Sequence, residues 1–252
     1  MPKHEFKAIV LDLFDTLVKW EPERLPVMEW QGRSFHSTMP WVLPELERHF
    51  GKTFDRDAFI HIYNLVIEEI GLEREREGIE ITCTERFIRT LARFRPGPED
   101  EARAFAEHLT RVHMDRVRAV TWAPEGRTDA VRRMAPHYRL GLLSNFDDAL
   151  TGRAVLKDTG VAALFEAVII SAEVRLRKPN PRIYAAICEM LQLAPQQLLF
   201  VGDTPREDVA GPKSAGMYTA WVSKGAPSVP EGIPRPDFTV NDLSELPALL
   251  EI

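Results

Sequence analysis

The chain has 252 residues, 44% of them hydrophobic, with 32 Lys and Arg against 38 Asp and Glu, for a formal net charge of −6. This apolar share supports a packed core and excludes a disordered or fibrous chain, and the length allows one large domain or a domain carrying an insertion. Interspersed charges with a mild acidic excess exclude a nucleic-acid footprint and a basic membrane surface.

The opening MPKHEFK lacks the apolar run of a secretion signal, and no later apolar stretch approaches the roughly 20 residues that span a bilayer, so a cytoplasmic protein is expected. FKAIVLDL at 6–13 reads as a short buried strand. From about Trp20 to Ala119 the spacing predicts helices and no strand. Phe59, Ile62, Tyr63, Val66, Ile67 and Ile70 line one helical face, Phe87, Leu91 and Phe94 a second, and a third helix begins near Glu99 after the Pro-Gly-Pro break at 96–98. Cys83 and Cys188 fall in separate predicted helices, which leaves no disulfide framework and no CxxC zinc motif.

After residue 121 strands and helices alternate. Strands are predicted at 138–145, 167–171, 198–203 and 218–223, with helices near 128–135, from 148 and over 181–193. That alternation, with continuous apolar strands, predicts a Rossmann-like α/β fold, a doubly wound parallel sheet covered on both faces. The expected division is a core of residues 1–18 plus 121–252, interrupted after its first strand by an all-helical insertion over 19–120. In such a sheet ligands bind beyond the carboxyl ends of the strands. Three strands end there in polar residues: Asp12, Ser144-Asn145 and Gly202-Asp203, while Lys178 follows a fourth strand. Each alone is an ordinary strand-to-loop transition; four at one sheet edge make a candidate site.

With LDLFDTL at 11–17, LLSN at 142–145, RKPNP at 177–181 and VGDTPREDVAGPKSAGM at 201–217 in this order, the chain resembles the haloacid dehalogenase superfamily over its whole length. The resemblance implies a hydrolase, and it implies that residues 19–120 are a mobile cap of the helical type. Asp12 becomes the expected nucleophile, because Thr16 lies four residues after it as the family motif requires. A carboxylate that attacks phosphorus divides one hard displacement into two easier ones. Ser144, with the amide of Asn145, would donate to the transferring phosphoryl oxygens, and Lys178 would offset the negative charge around Asp12. The resemblance also implies Mg²⁺, held by Asp12, the backbone carbonyl of Phe14 and Asp203, with Asp208 serving directly or through water. Asp15 is left outside the chemistry.

One residue departs from the phosphatase pattern. Phe14 stands where phosphatases of the superfamily carry a second Asp, and a phenyl ring moves no proton, so general acid–base help worth roughly 10²- to 10⁴-fold is absent or comes from elsewhere. Haloacid dehalogenases of the family have an aromatic residue there and a leaving group that needs no proton, yet they need no metal, whereas this chain keeps Asp203 and Asp208. The sequence therefore favours a Mg²⁺-dependent phosphohydrolase, slow or specialised for good leaving groups, over a dehalogenase-type hydrolase. Phosphonate cleavage, for which Lys52 is the only lysine between Trp20 and Ala119, and a catalytically impaired binding homologue stay open. The expected partner is a small anionic phosphorylated or halogenated metabolite. Trp20, Trp30 and Trp41, in a proline-interrupted stretch read as loop, either wall a pocket or anchor a domain junction.

Overall fold

Strand β1 (Ala8–Leu11) is buried at every residue, and all of its strand neighbours come from beyond residue 138. The computed structural model describes residues 6–252; MPKHE, part of the opening read above for a secretion signal, lies outside them. The chain packs as two units, Met1–Lys19 with Trp122–Ile252, and Trp20–Thr121.

The inserted unit is mostly helical, but the all-helical expectation needs a correction. β2 (Val27–Trp30) and β3 (Arg33–His36) form an antiparallel hairpin that pairs Met28 with Phe35. Its two turn residues, Gln31 and Gly32, have φ of 48° and 72°, the left-handed pair whose twist matches that of the flanking strands. Four-residue strands set among prolines give periodicity too little length to register. The loop reading also fails for Trp41, which lies in α1 (Met39–Phe50) with Pro40 in the first turn, where a missing N–H is tolerated, and Pro44 inside. α2 (Arg56–Glu77), α3 (Cys83–Phe94) and α4 (Glu99–Ala119) fall where helices are predicted. Asp55 and Thr82 cap α2 and α3 by accepting from the N–H groups of Ala58 and Glu85. Phe59, Tyr63, Val66 and Ile70 are buried as expected, whereas Ile67 is 40% exposed, one residue off the edge of that stripe. Arg89 bonds Glu73 at 2.7 Å and Arg93 bonds Glu69 at 2.6 Å, linking α3 to α2.

The other unit continues with α5 (Glu125–Met134), β4 (Arg139–Ser144), α6 (Ala149–Asp158), β5 (Ala167–Ile170), α7 (Pro181–Leu191), β6 (Leu198–Gly202), β7 (Tyr218–Val222) and β8 (Phe238–Val240). Ser171 opens a short helical turn rather than closing β5. β8 is a three-residue strand beyond the proline-rich stretch that sequence periodicity passes over. All strand pairs in the six-stranded sheet are parallel, in the order β8-β7-β6-β1-β4-β5. The chain runs outward from β1 through β4 and β5, then returns to build β6, β7 and β8 on the other side. β1 therefore sits at the switch of direction, where α/β sheets open a crevice at their carboxyl ends.

Alternation along β1 sends Ile9 and Leu11 to one face, with Leu140, Leu142, Leu199 and Val201, under Val131 and Met134 of α5 and Val155 of α6. Ala8 and Val10 face the other side, with Ile169 and Phe200, under Ile183, Tyr184, Ile187 and Leu191 of α7. This is the expected Rossmann-like doubly wound sheet. Among the described residues no helix is long and apolar enough to cross a membrane.

After β6 a wide π-type turn, Pro205–Ala210, leads into Gly211–Ser214. Its packing against α7 depends on Gly211, because a Cβ there would lie 2.1 Å from the Tyr184 Oη, which donates to the Glu207 carbonyl at 2.6 Å. Tyr184 is fully buried and has no room to withdraw. Gly211→Ala is expected to lower the unfolding free energy by about 2 kcal/mol in urea titration, the usual size of an overpacking defect.

Candidate active site

Four strand ends and two loops bring the candidate groups together. Asp12 follows β1, and its N–H donates to the Val201 carbonyl at 2.9 Å, which carries the β1–β6 ladder one residue past the strand. Asp203 follows β6, and Asp208 lies in the π-type turn. Carboxylate oxygens of Asp12, Asp203 and Asp208 lie within 4.8 Å of one another. Gly202 makes the approach possible, since a Cβ there would fall 2.3 Å from the Asp208 Cγ. The Asp208 carboxylate accepts from the Thr204 N–H at 2.9 Å.

Lys178 reaches into this cluster from the segment between β5 and α7. Its ammonium donates to Asp12 Oδ1 at 2.7 Å and Asp208 Oδ1 at 2.6 Å, and the side chain is 1% exposed. Asn145 fastens the backbone of that lysine. Its side-chain carbonyl accepts from the Lys178 N–H at 2.8 Å, and its amide nitrogen donates to the Lys178 carbonyl and to Glu207 Oε2, each at 2.9 Å. Ser144, at the end of β4, is buried, and its Oγ has no hydrogen-bond partner among the described residues. An unpaired buried hydroxyl is costly in the free protein and is a donor held ready for a ligand. Thr16 Oγ1 donates to Asp203 Oδ1 at 3.4 Å. The Phe14 ring stacks on Phe146 with centroids 4.6 Å apart, so it belongs to the apolar packing beneath the site.

Burial and like charge dominate the electrostatics. Burial drives the Asp12 carboxyl up to about 8, with the Asp208 and Asp203 charges adding to the rise and Lys178 opposing it. Burial and the Asp208 charge also raise Asp203. For Lys178 burial favours the neutral amine, but Asp12 and Asp208 outweigh it, and the ammonium is held well above the ordinary lysine value. Two buried carboxylates and the half-buried Asp203 against one buried ammonium leave a surplus of negative charge in a small space. Hard oxygen donors in that arrangement fit a cation such as Mg²⁺.

Sequence reasoning missed three supporting residues. Glu207, raised by burial, completes the Asn145 amide. Arg127, buried on α5, donates to the Asp15 and Val18 carbonyls at 3.2 and 3.3 Å and to Asp242 at 2.9 Å, and so pins the loop that follows Asp12. Lys224, two residues past β7, contacts Asp203 and Asp15. It lies beyond a strand's carboxyl end, so the strand-end argument that singles out Asp12, Ser144 and Asp203 applies equally to it.

Trp30 and Trp41 belong to the inserted unit and have partners there. Trp30 lies tilted 6.5 Å from His61, Arg116 sits 4.8 Å over the Trp41 ring, and His113 Nδ1 is 2.6 Å from Thr38 Oγ1. Lys52 lies in a short 3-10 turn, Gly51–Thr53, and is exposed. Cys83 and Cys188 are buried thiols, one in each unit, and the Cys83 sulfur accepts from the Arg86 guanidinium at 3.0 Å.

The phosphoserine phosphatase of Thermus thermophilus is 29% identical to this chain over 251 residues, covering 95% of this chain and 97% of that one. Among solved structures, a 2-haloacid dehalogenase from Pseudomonas syringae pv. Tomato superposes with a TM-score of 0.69 at 18% identity, covering 98% of each chain. The HAD-hydrolase YfnB from Bacillus subtilis, solved bound to magnesium, superposes with a TM-score of 0.60 at 18% identity, covering 98% of this chain and 99% of that one. Both likenesses describe the fold. The family model for haloacid dehalogenase-like hydrolases matches residues 6–216, the span that runs from β1 through Asp12, Lys178, Asp203 and Asp208, and the chain belongs to that family.

Proposed function

We propose that the protein is a Mg²⁺-dependent phosphohydrolase acting on a small phosphorylated metabolite, with Asp12 as the nucleophile. The observation that carries this reading is the convergence of Asp12, Asp203 and Asp208 within 4.8 Å. Such a cluster repels an anionic substrate of either kind until a cation offsets it, and phosphoryl transfer makes direct use of that cation. The similarity to a phosphoserine phosphatase over nearly the whole chain supports the same class of substrate.

In this reading a carboxylate oxygen of Asp12 attacks phosphorus in line with the leaving oxygen. An aspartyl-phosphate forms, the bond to the leaving group breaks, and water then hydrolyses the acyl-phosphate and restores Asp12. Asp12, the Phe14 carbonyl, Asp203 and Asp208 would hold Mg²⁺, which would supply charge neutralisation for the transfer. Lys178 holds Asp12 in place and offsets its charge. The Ser144 hydroxyl, unpartnered in the free protein, donates to a phosphoryl oxygen, and the backbone N–H of Asn145 assists. The Asn145 side chain is committed to Lys178 and Glu207, so its part in the site is to position the lysine.

Phe14 puts no acid beside the leaving group. Substrates that release a weakly basic anion, acyl phosphates above all, need no such proton and suit the site best. The second reading, dehalogenation through an ester on Asp12, rests on the same residue, since halide also leaves unprotonated. Residues 20–121 are taken as the cap that selects the leaving group.

Phosphate release from acetyl phosphate and p-nitrophenyl phosphate, measured beside halide release from 2-chloropropionate, tests the reading. Phosphate release that EDTA and Asp203→Asn each abolish, and that Asp12→Asn also abolishes, is expected; halide release that survives EDTA would overturn the assignment. Phe14→Asp should raise turnover of an ordinary alkyl monoester such as glycerol phosphate by about tenfold or more and raise p-nitrophenyl and acetyl phosphate turnover less, because an alkoxide leaving group gains most from an acid. Ser144→Ala should leave the urea midpoint unchanged or raised, since it removes an unsatisfied group, yet lower kcat by roughly 10²-fold.

A further inference from the structure

Lys224 is a cation at the site that the proposed chemistry leaves without a task. Its backbone is set by the end of β7 and by its N–H, which donates to the Asn241 carbonyl at 3.2 Å just past β8. The φ of 52° is a left-handed conformation that lysine rarely adopts. Its ammonium lies 3.0 Å from Asp203 Oδ2 and 3.5 Å from Asp15 Oδ2, and the side chain is 41% exposed. An exposed ion pair of this kind contributes little to stability. Stability is therefore a poor account of why a strained lysine is aimed at the one cluster carboxylate that Lys178 does not touch.

The charges supply a better one. With all groups ionised, Asp12, Asp15, Asp203 and Asp208 carry four negative charges, and Lys178 and Lys224 carry two positive ones. The remainder is two negative charges, which a single divalent cation cancels. Without Lys224 the remainder is three, and the same cation leaves the site negative when a phosphoryl dianion must approach.

We infer that Lys224 is a charge-balancing residue that weakens the site's hold on the divalent cation and strengthens its hold on the anionic substrate group. The inference rests on the Mg²⁺-dependent reading above and adds to it a second lysine with a role distinct from that of Lys178. Lys178 is buried between two carboxylates and is part of the packed site. Lys224 stands at the solvent edge on Asp203 and Asp15, where its charge acts on whatever enters. Both effects come from the same ammonium, so its removal shifts the two affinities in opposite directions.

Calorimetric titration of the 252-residue chain with Mg²⁺ alone, and of the Mg²⁺-saturated protein with inorganic phosphate, reads both. Lys224→Met is expected to bind Mg²⁺ about tenfold more tightly and phosphate about tenfold more weakly than wild type, the scale of one unit charge a few ångströms away in a partly solvated site. Both shifts should shrink as salt is added. Lys224→Arg should keep wild-type values, and Lys224→Gln, which keeps a donor but drops the charge, should follow Lys224→Met. If both affinities weaken in Lys224→Met, the lysine is a structural prop; if neither moves, it is a solvated side chain, and either result overturns the inference while Mg²⁺ binding by wild type leaves the phosphohydrolase reading intact. A wild-type protein that takes up no Mg²⁺ would overturn that reading and this inference together.

Discussion

The Lys178 ammonium lies between Asp12 and Asp208 at 2.7 and 2.6 Å, out of contact with solvent. A lysine can be charged at that depth only because both carboxylates face it. Three chain segments far apart in sequence are thereby bound to one another: the end of β1, the turn after β6 and the loop leading into α7. Several other features follow from this arrangement. Gly202 is small because Asp208 must pass over it, and Asn145 spends its whole amide on holding the lysine's backbone and Glu207 in register.

The same arrangement leaves negative charge in excess. Asp203 adds a third carboxylate that Lys178 does not reach, and burial lifts both Asp12 and Asp203 above the ordinary carboxylate range. A site built in this way is equipped for electrostatic work on an anion, provided that a cation joins it. Position 14, two residues after Asp12, adds no proton-transfer group, because it holds an aromatic ring stacked on Phe146. In the proposed reaction this contrast selects substrates by leaving group.

Elements long enough to repeat a spacing are legible in the sequence. The helices over 56–77, 83–94 and 99–119 show the three-and-four pattern for several turns, and the sheet strands before β8 are mostly apolar runs. Short elements are not legible. The β2–β3 hairpin rests on a Gln-Gly turn and four cross-strand pairs, β8 on three residues, and α1 begins across two prolines that ordinarily signal loop. Ile67 is apolar and close to the buried stripe, yet exposed, because periodicity assigns a face but cannot place its edge to within one residue.

By itself the sequence determined the fold class and which residues stand at the carboxyl edge of the sheet. A parallel topology places every strand end there, and the order of apolar runs and polar strand ends can be read locally. It also determined that position 14 holds no acid, because residue identity alone settles that. Only the tertiary structure decided which charge meets which. That Lys178 is shared by Asp12 and Asp208, that Ser144 is left without a partner, and that Lys224 closes on Asp203 and Asp15 are facts about distances between residues up to 209 positions apart. Electrostatic strength varies steeply with such distances and with burial, and neither quantity exists until the chain has folded.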